Sequence, residues 1–394
     1  MPSANASAAT TLYVGGEDLY TTSGTKSNTA NTATYNASTT TLTLNNATLT
    51  GGVVLLDYDE TVDTLKLKLT GTNKITDGNT DNGMNYYGYV HATKANLAID
   101  GTGSLSITSN QAACISTTGG ASMNITSATL DLQCRNYPIS NGATAAPVTI
   151  TGATIKSQSA NTDGGSYSLT GTATIKNSTI TTSSDDIDAS TLIIDNSKIS
   201  SQGVSGGNVS SGGDITITGS TITTSGRFGV TDAHGSISVR DSVITTNNGG
   251  SLSAQSGLAI TNSKITTTND TLGLTTYTGN ITMSGNSTTF EGNGISAFQS
   301  KIILNDGLGI SGGYISSPSG EGEGVYGCDG HTLAGHIRVA YGLSNTACEA
   351  ALASANLGTT IDNPNTADHD WIYGLIAAVL TGAFFLGRRF YLKH

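Results

Sequence analysis

One short phrase recurs along most of this chain and constrains its fold more than any other feature. It consists of an apolar residue, two small polar residues or glycine, Ser or Ala, one further residue, then Ile or Leu. It reads Leu44-Asn-Asn-Ala-Thr-Leu49, Ile125-Thr-Ser-Ala-Thr-Leu130, Ile150-Thr-Gly-Ala-Thr-Ile155 and Ile175-Lys-Asn-Ser-Thr-Ile180. It returns as Ile194-Asp-Asn-Ser-Lys-Ile199, Ile217-Thr-Gly-Ser-Thr-Ile222, Val239-Arg-Asp-Ser-Val-Ile244 and Ile260-Thr-Asn-Ser-Lys-Ile265. With looser versions included, the closing apolar positions are 49, 75, 105, 130, 155, 180, 199, 222, 244, 265 and 290, about 24 residues apart on average. That period lies within the range of solenoid repeats.

Within each phrase the alternation Leu42-Thr-Leu44 or Ile215-Thr-Ile217 has the two-residue period of a strand. The polar pair after it, often Asn-Ser or Gly-Ser, marks a corner. A single coil cannot bury its few apolar side chains, but stacked coils build a continuous core. The expected fold is therefore all-β, a right-handed single-stranded parallel β-helix of 11–12 coils. At one strand spacing per coil the rod would be roughly 50 to 60 Å long, with Asn and Ser stacking in ladders at its corners. A β-sandwich is the alternative architecture, and its strands would not carry one fixed phrase eight times. Residues 1–35, with the strand Thr11–Val14, form a cap, 36–318 the solenoid, 319–360 an irregular second cap and 361–370 a linker.

Composition supports this reading and excludes others. Charged residues make up only 11% of the chain, so the Glu, Lys and Arg that normally fill exposed helix positions are scarce. With 17 basic against 28 acidic residues the formal charge is −11, which argues against a nucleic-acid partner.

The C-terminus adds a fold-class expectation of its own. Residues 371–387, WIYGLIAAVLTGAFFLG, carry no charge and are followed by Arg388 and Arg389. The length is near the lower limit of about 17 to 25 residues for a spanning helix. Trp371 and Tyr373 sit where an interfacial aromatic belt would lie. A transmembrane helix over 371–387 with a basic cytoplasmic tail at 388–394 is expected, placing the solenoid outside a bacterial cell as a single-pass or cell-wall-anchored protein. Upstream, Asn363, Pro364, Asn365, Thr366 and Ala367, then the apolar stretch and the arginines, resemble a Gram-positive cell-wall sorting signal. That resemblance implies a sortase as partner, cutting between Thr366 and Ala367. A plain single-pass anchor is the alternative. MPSANASAAT has neither a basic nor an apolar signal region, so export would need a start upstream of Met1.

Two further resemblances lie at the other end. Ala37 to Leu49, after Leu12-Tyr-Val-Gly-Gly16, is similar to the opening of bacterial surface β-helix proteins described as carbohydrate-binding-domain-containing and related in fold to pectate lyases. Leu65 to Ile75 and Leu97 to Leu105 resemble their early coils. The resemblance covers about residues 11–315 and implies binding of polysaccharide, including acidic sugars, sometimes with calcium. The recurrent Asp-Gly-Ile turn of that family is approximated here only by Asp185-Asp186-Ile187-Asp188.

Candidate site residues follow. Asp185, Asp186 and Asp188 form the densest carboxylate cluster of the solenoid, and calcium is the cofactor such oxygens would hold. If Ile187 points inward, Asp186 and Asp188 share the outward face; a solvated acidic turn is the alternative. Asp57, Asp59 and Glu60 form a weaker group. Asp81, Asn82, Tyr86, Tyr87 and Tyr89, near His91, fall in the longest interval between coils, where an inserted loop would offer rings and polar groups to a sugar. A local packing cluster is the alternative there. Cys114 with Cys134, and Cys328 with Cys348, are each 20 residues apart, close to one coil, so both pairs are candidate disulfides; four unpaired core thiols are the alternative. A lyase would need an Arg or Lys base, and Arg227 falls in nearly the column of Asp185, two coils on. The expected function is a non-catalytic carbohydrate-binding or adhesive rod. A protein-binding adhesin or structural stalk comes next, and a calcium-dependent polysaccharide lyase third.

Overall fold

The computed structural model describes residues 9–333 except 77–87, 111, 143–144, 161–164, 184, 203–207, 227, 249–250, 268–272, 286, 292–293, 298–301, 305–308, 312–313, 317–324 and 328–330. Each coil runs through three strands that lie on three faces of a right-handed parallel β-solenoid. A typical coil has a first-face strand Ala113–Thr118, a second-face strand Met123–Thr126 and a third-face strand Thr129–Cys134. Each strand pairs in parallel with its counterpart one coil on, as Ile115 with Ile139, Ile125 with Ile150 and Leu130 with Ile155. The third face is a twelve-stranded sheet from Thr48–Thr50 to Gly309–Ser311. At one strand spacing per rung it extends about 50 Å.

Alternation decides what the coils bury. On the third face Ile155, Ile180, Ile199, Ile222, Ile244, Ile265 and Phe290 stack as one inward column, each almost wholly buried. Burying one such side chain contributes about 1.5 to 3 kcal/mol. The next inward column changes character along the rod. It is Leu49, Ile75, Ile107 and Leu132 in the early coils, then Ser157, Thr182, Ser201, Thr224, Thr246 and Thr267. The expected column 49, 75, 105, 130 therefore slips by two residues: Ile75 pairs with Ile107, and Leu105 with Asn73. A two-residue slip keeps every side chain on its own face, so alternation alone does not reveal it.

The corner between the second and third faces explains the recurring phrase. Asn177, Asn196, Gly219, Asp241 and Asn262 occupy it with φ of 50°, 46°, 58°, 50° and 49°. Asn, Asp and Gly tolerate this left-handed conformation best. The serine after each one forms a ladder. Ser178, Ser197, Ser220, Ser242 and Ser263 each donate their hydroxyl to the carbonyl two residues back, at 2.6–2.8 Å. Each hydroxyl oxygen also accepts the backbone N–H of the corner residue one coil earlier, from Ala153 to Ser242, at 3.0–3.1 Å. Asn73 does the same work in an early coil: its Oδ1 accepts the Ala47 N–H and its Nδ2 donates to the Thr70 and Ser104 carbonyls.

The rod's N-terminal end is covered by antiparallel strands. Thr11–Val14 pairs with Val53–Leu56, and Ala33–Asn36 with Thr41–Asn45 and Thr25–Ser27. At the other end Val325–Gly327 and His331–Leu333 form an antiparallel pair. Reversed strand direction stops parallel stacking from continuing into another chain.

The expected fold class is corrected in one part. No helix among the described residues is long and apolar enough to cross a membrane. Most of their strands alternate buried and more exposed positions. Residues 371–387, the basic tail and the motif Asn363, Pro364, Asn365, Thr366 and Ala367 lie outside the described residues. Membrane anchorage through 371–387, and the single-pass or wall-anchored surface placement that depended on it, are therefore set aside.

Replacing Ser220 by Ala should leave the Ser197 N–H and the Thr218 carbonyl without these partners. The expected cost is about 1 to 3 kcal/mol, read as a fall in the urea midpoint. Thr221→Ser, one residue on and exposed, should stay within about 0.5 kcal/mol.

Candidate functional site

The strand Asp185–Asp195 carries the acidic cluster, and its alternation divides the three carboxylates. Asp185 and Ile187 point inward and are fully buried, while Asp186 and Asp188 lie on the outer side of the first face. The three do not enclose one ion. Among the described residues no three His, Cys, Asp or Glu side chains gather in a metal-binding group.

On the outer side the half-buried Asp186 and the exposed Asp188 belong to a polar ladder. Asp186 Oδ1 accepts the Asn208 backbone N–H at 2.8 Å and its Nδ2 at 3.1 Å. Asn208 Oδ1 in turn accepts the N–H groups of Phe228 and Gly229, at 2.9 and 3.1 Å. Asp188 stacks between Ser168 and Ser210, and Ser210 donates to its Oδ1 at 3.1 Å. Protein packed around Asp188 withholds water from one side and pushes its pKa up to about 6; Ser210 opposes this and the Asp186 charge adds to it. The side chain is still exposed, so the shift reflects local crowding and not enclosure.

Asp185 sits at the tight corner after Thr182, inside the rod. Its Oδ2 accepts the Ser157 hydroxyl at 2.7 Å, and Ser157 accepts the Tyr167 hydroxyl proton at 3.0 Å. Thr182 and Ser201 both donate to its backbone carbonyl at 2.8 Å. Burial raises the Asp185 pKa against the pull of Ser159 and Ser157, and burial also raises that of Tyr167. Asp185 is thus the polar end of the hydroxyl-bearing inner column.

The other expected sites are placed as follows. Tyr89 is 4% exposed and packs in the hydrophobic core, so its ring is not an open sugar platform. His91 is buried too, with Nδ1 2.7 Å from the Ser116 hydroxyl and Nε2 2.9 Å from that of Thr93, and burial lowers its pKa to about 4. Asp81, Asn82, Tyr86, Tyr87 and Arg227 lie outside the described residues, as do Cys328 and Cys348. Asp57 is a closing group for its loop: it accepts Thr10 Oγ1, the Thr61 N–H and hydroxyl, and the Val62 N–H at 2.7–3.0 Å. Burial alone would raise its pKa, but these bonds outweigh it and hold the carboxyl below its ordinary value. Glu60 is ion-paired with Lys94 at 2.8 Å.

Cys114 and Cys134 form a disulfide with Cα atoms 5.6 Å apart. They do not occupy one stacked column. Here a full coil takes 24 residues, Ala113 to Tyr137, so a separation of 20 stops short of a turn. The bridge ties the end of a third-face strand to the start of the first-face strand in its own coil.

Residues not anticipated from sequence include Asn208 and Ser210, which join the carboxylates across coils, and Asp232. Asp232 is inward and buried, and its Oδ1 accepts the His234 and Gly235 N–H groups at 2.8 and 2.6 Å. The available signal was register: Val209 pairs with both Ile187 and Val230, which aligns these side chains.

Searches against family models, curated proteins and solved structures give no match. The right-handed β-solenoid itself is consistent with pectate-lyase-like architecture.

Two acids should titrate with opposite consequences. The Asp185 pKa is raised, so its contribution to stability is complete below the unfolded value and is lost as pH rises through the folded one. The Asp57 pKa is lowered, so its contribution is present above the unfolded value and is lost as pH falls through the folded one. Urea midpoints from acid to neutral pH should lose the first dependence in Asp185→Asn and the second in Asp57→Asn. Curves parallel to that of the parent would contradict both assignments.

Proposed function

We propose that this chain is a non-catalytic polysaccharide-binding rod. The observation that carries the reading is the register of its outward side chains. On the first face Ser140, Ser168, Asp188, Ser210, Thr231 and Ser253 follow one another at one residue per coil. Hydroxyl groups, with one carboxylate among them, repeated at about 4.8 Å offer a periodic polymer similar hydrogen bonds from coil to coil. The rigid solenoid holds those groups in place before binding, which reduces the ordering cost that weakens flexible sites.

A protein-binding or structural stalk would use the same rod without the sugar. Retention of the full chain on a panel of immobilised neutral and acidic polysaccharides separates the two. Saturable retention on at least one polymer is expected; retention on none would leave the stalk.

Hydrolysis is a second reading, and one observation favours it. Asp186 and Asp188 project from one face two residues apart, about 6.6 Å along the strand. That spacing is in the range of a glycosidase carboxyl pair, and the raised pKa of Asp188 suits a general acid. If it holds, reducing ends should appear with a pH profile that falls above about 6 and disappear in Asp188→Asn. Unchanged polymer across the panel would remove this reading.

A further inference from the structure

Charge is unevenly distributed around the rod, and this was not apparent along the sequence. From residue 165 to 261 the first face and its corner into the second carry Asp186, Asp188 and Asp214 outward, with no Lys or Arg among the described residues. The opposite edge, where the second face turns into the third, is cationic. Take the six successive third-face strands from Thr154–Ser159 to Lys264–Thr267. Lys156 projects from the first of them, Lys198 from the third and Lys264 from the sixth. Lys176 and Arg240 end the second-face strands that lead into the second and fifth. Five of six consecutive coils therefore place an exposed cation on this edge, in three neighbouring columns: Lys176 and Arg240 at the end of the second face, Lys198 and Lys264 at the start of the third, and Lys156 two residues further on.

Three acids adjoin them. Asp195 is ion-paired with Lys176 at 3.0 Å, Asp241 occupies the corner beside Arg240, and Asp131 lies in register beside Lys156 on the preceding strand. Among the described residues, Lys156, Lys198, Arg240 and Lys264 take part in no ion pair. The band extends over about 24 Å at one strand spacing per coil. Outward residues between the cations are mostly hydroxyls, among them Thr179, Thr181, Thr221 and Thr223.

We propose that this edge is the binding track of a linear anionic polysaccharide, carboxylated or sulfated, lying parallel to the rod axis. The proposal rests on the polysaccharide-binding reading above and adds to the hydroxyl column of the first face a second surface, with its own ligand chemistry. A band of single cations spread over five of six coils along the rod axis fits an extended polymer with repeated charges better than a compact anion, which needs several donors converging on one point. The intervening threonines supply hydrogen bonds to sugar hydroxyls. Single-stranded nucleic acid is a poorer fit, because the described outward positions of these six strands carry no aromatic ring for bases to stack on. The track uses lysine and arginine directly, so it needs no bridging calcium. It also lies away from the acidic cluster, which would repel such a polymer.

The test uses the full chain with polygalacturonate, dextran sulfate and uncharged dextran as probes, in a chelator, at low and at raised salt. Binding to one or both charged polymers is expected, weakening at least tenfold as salt screens the charges. The two charged polymers distinguish a carboxylate from a sulfate preference. K198E/R240E/K264E should lose at least tenfold in affinity, while K66E/K68E, on the second face in an early coil, should bind as the parent does. The neutral set K198Q/R240Q/K264Q repeats the comparison if the charge-reversed chain loses its β-sheet circular dichroism signal. Binding to a charged polymer that the neutral set leaves intact, or that appears only with added calcium, would overturn the track. Binding of dextran alone would overturn the track and spare the polysaccharide-binding reading. Binding of no polysaccharide would end both.

Discussion

The rest of the rod depends on how each coil turns from its second face to its third. A residue with positive φ makes the turn, and the serine after it fastens the turn to the coils on either side. Each Ser hydroxyl donates within its own coil and accepts a backbone N–H from the coil before, as Ser220 does with Thr218 and Ser197. A buried corner otherwise leaves amide groups without partners, at a cost of about 1 to 3 kcal/mol each. The ladder satisfies those groups and fixes axial register together. Flat faces and aligned outward columns follow from that alignment.

Polar groups also continue inside the rod. Beyond the coil closed by the Cys114–Cys134 disulfide, the inner column at the third face changes from Leu132 to Ser157 and then to Thr182 and Ser201. Their hydroxyls reach the carboxyl and carbonyl of Asp185 just after the third-face strand Thr179–Thr182. Coil length changes at the same place, from 25 residues between Ile155 and Ile180 to 19 between Ile180 and Ile199.

Much of this was legible in the sequence because a solenoid repeats its local chemistry. The strand alternation, the Asn-Ser or Gly-Ser corner and the start of the next face all belong to the repeated phrase, whereas the remaining face of each coil lies in the variable residues between phrases. Register was less legible, since the slip that pairs Leu105 with Asn73 preserves alternation and Asn73 substitutes for serine through its amide. The cysteine spacing was read as one coil although the local coil is longer. Site residues were harder still. Asp185, Asp186 and Asp188 are neighbours in sequence, but a strand sends neighbours to opposite sides, so proximity along the chain did not become convergence in space. The cationic edge shows the converse: Lys198 and Lys264 are far apart in sequence and share one column only once the coils are stacked.

Hydrogen exchange of backbone amides, read residue by residue, tests the role of the serine ladder most directly. The amides of Ser178, Ser197 and Ser220 are held by the serine hydroxyl of the next coil, so they should exchange as slowly as those of the paired strands beside them. Exchange at the rate of open turns, with the strands still protected, would mean that the corners do not hold the coils in register and would contradict the account.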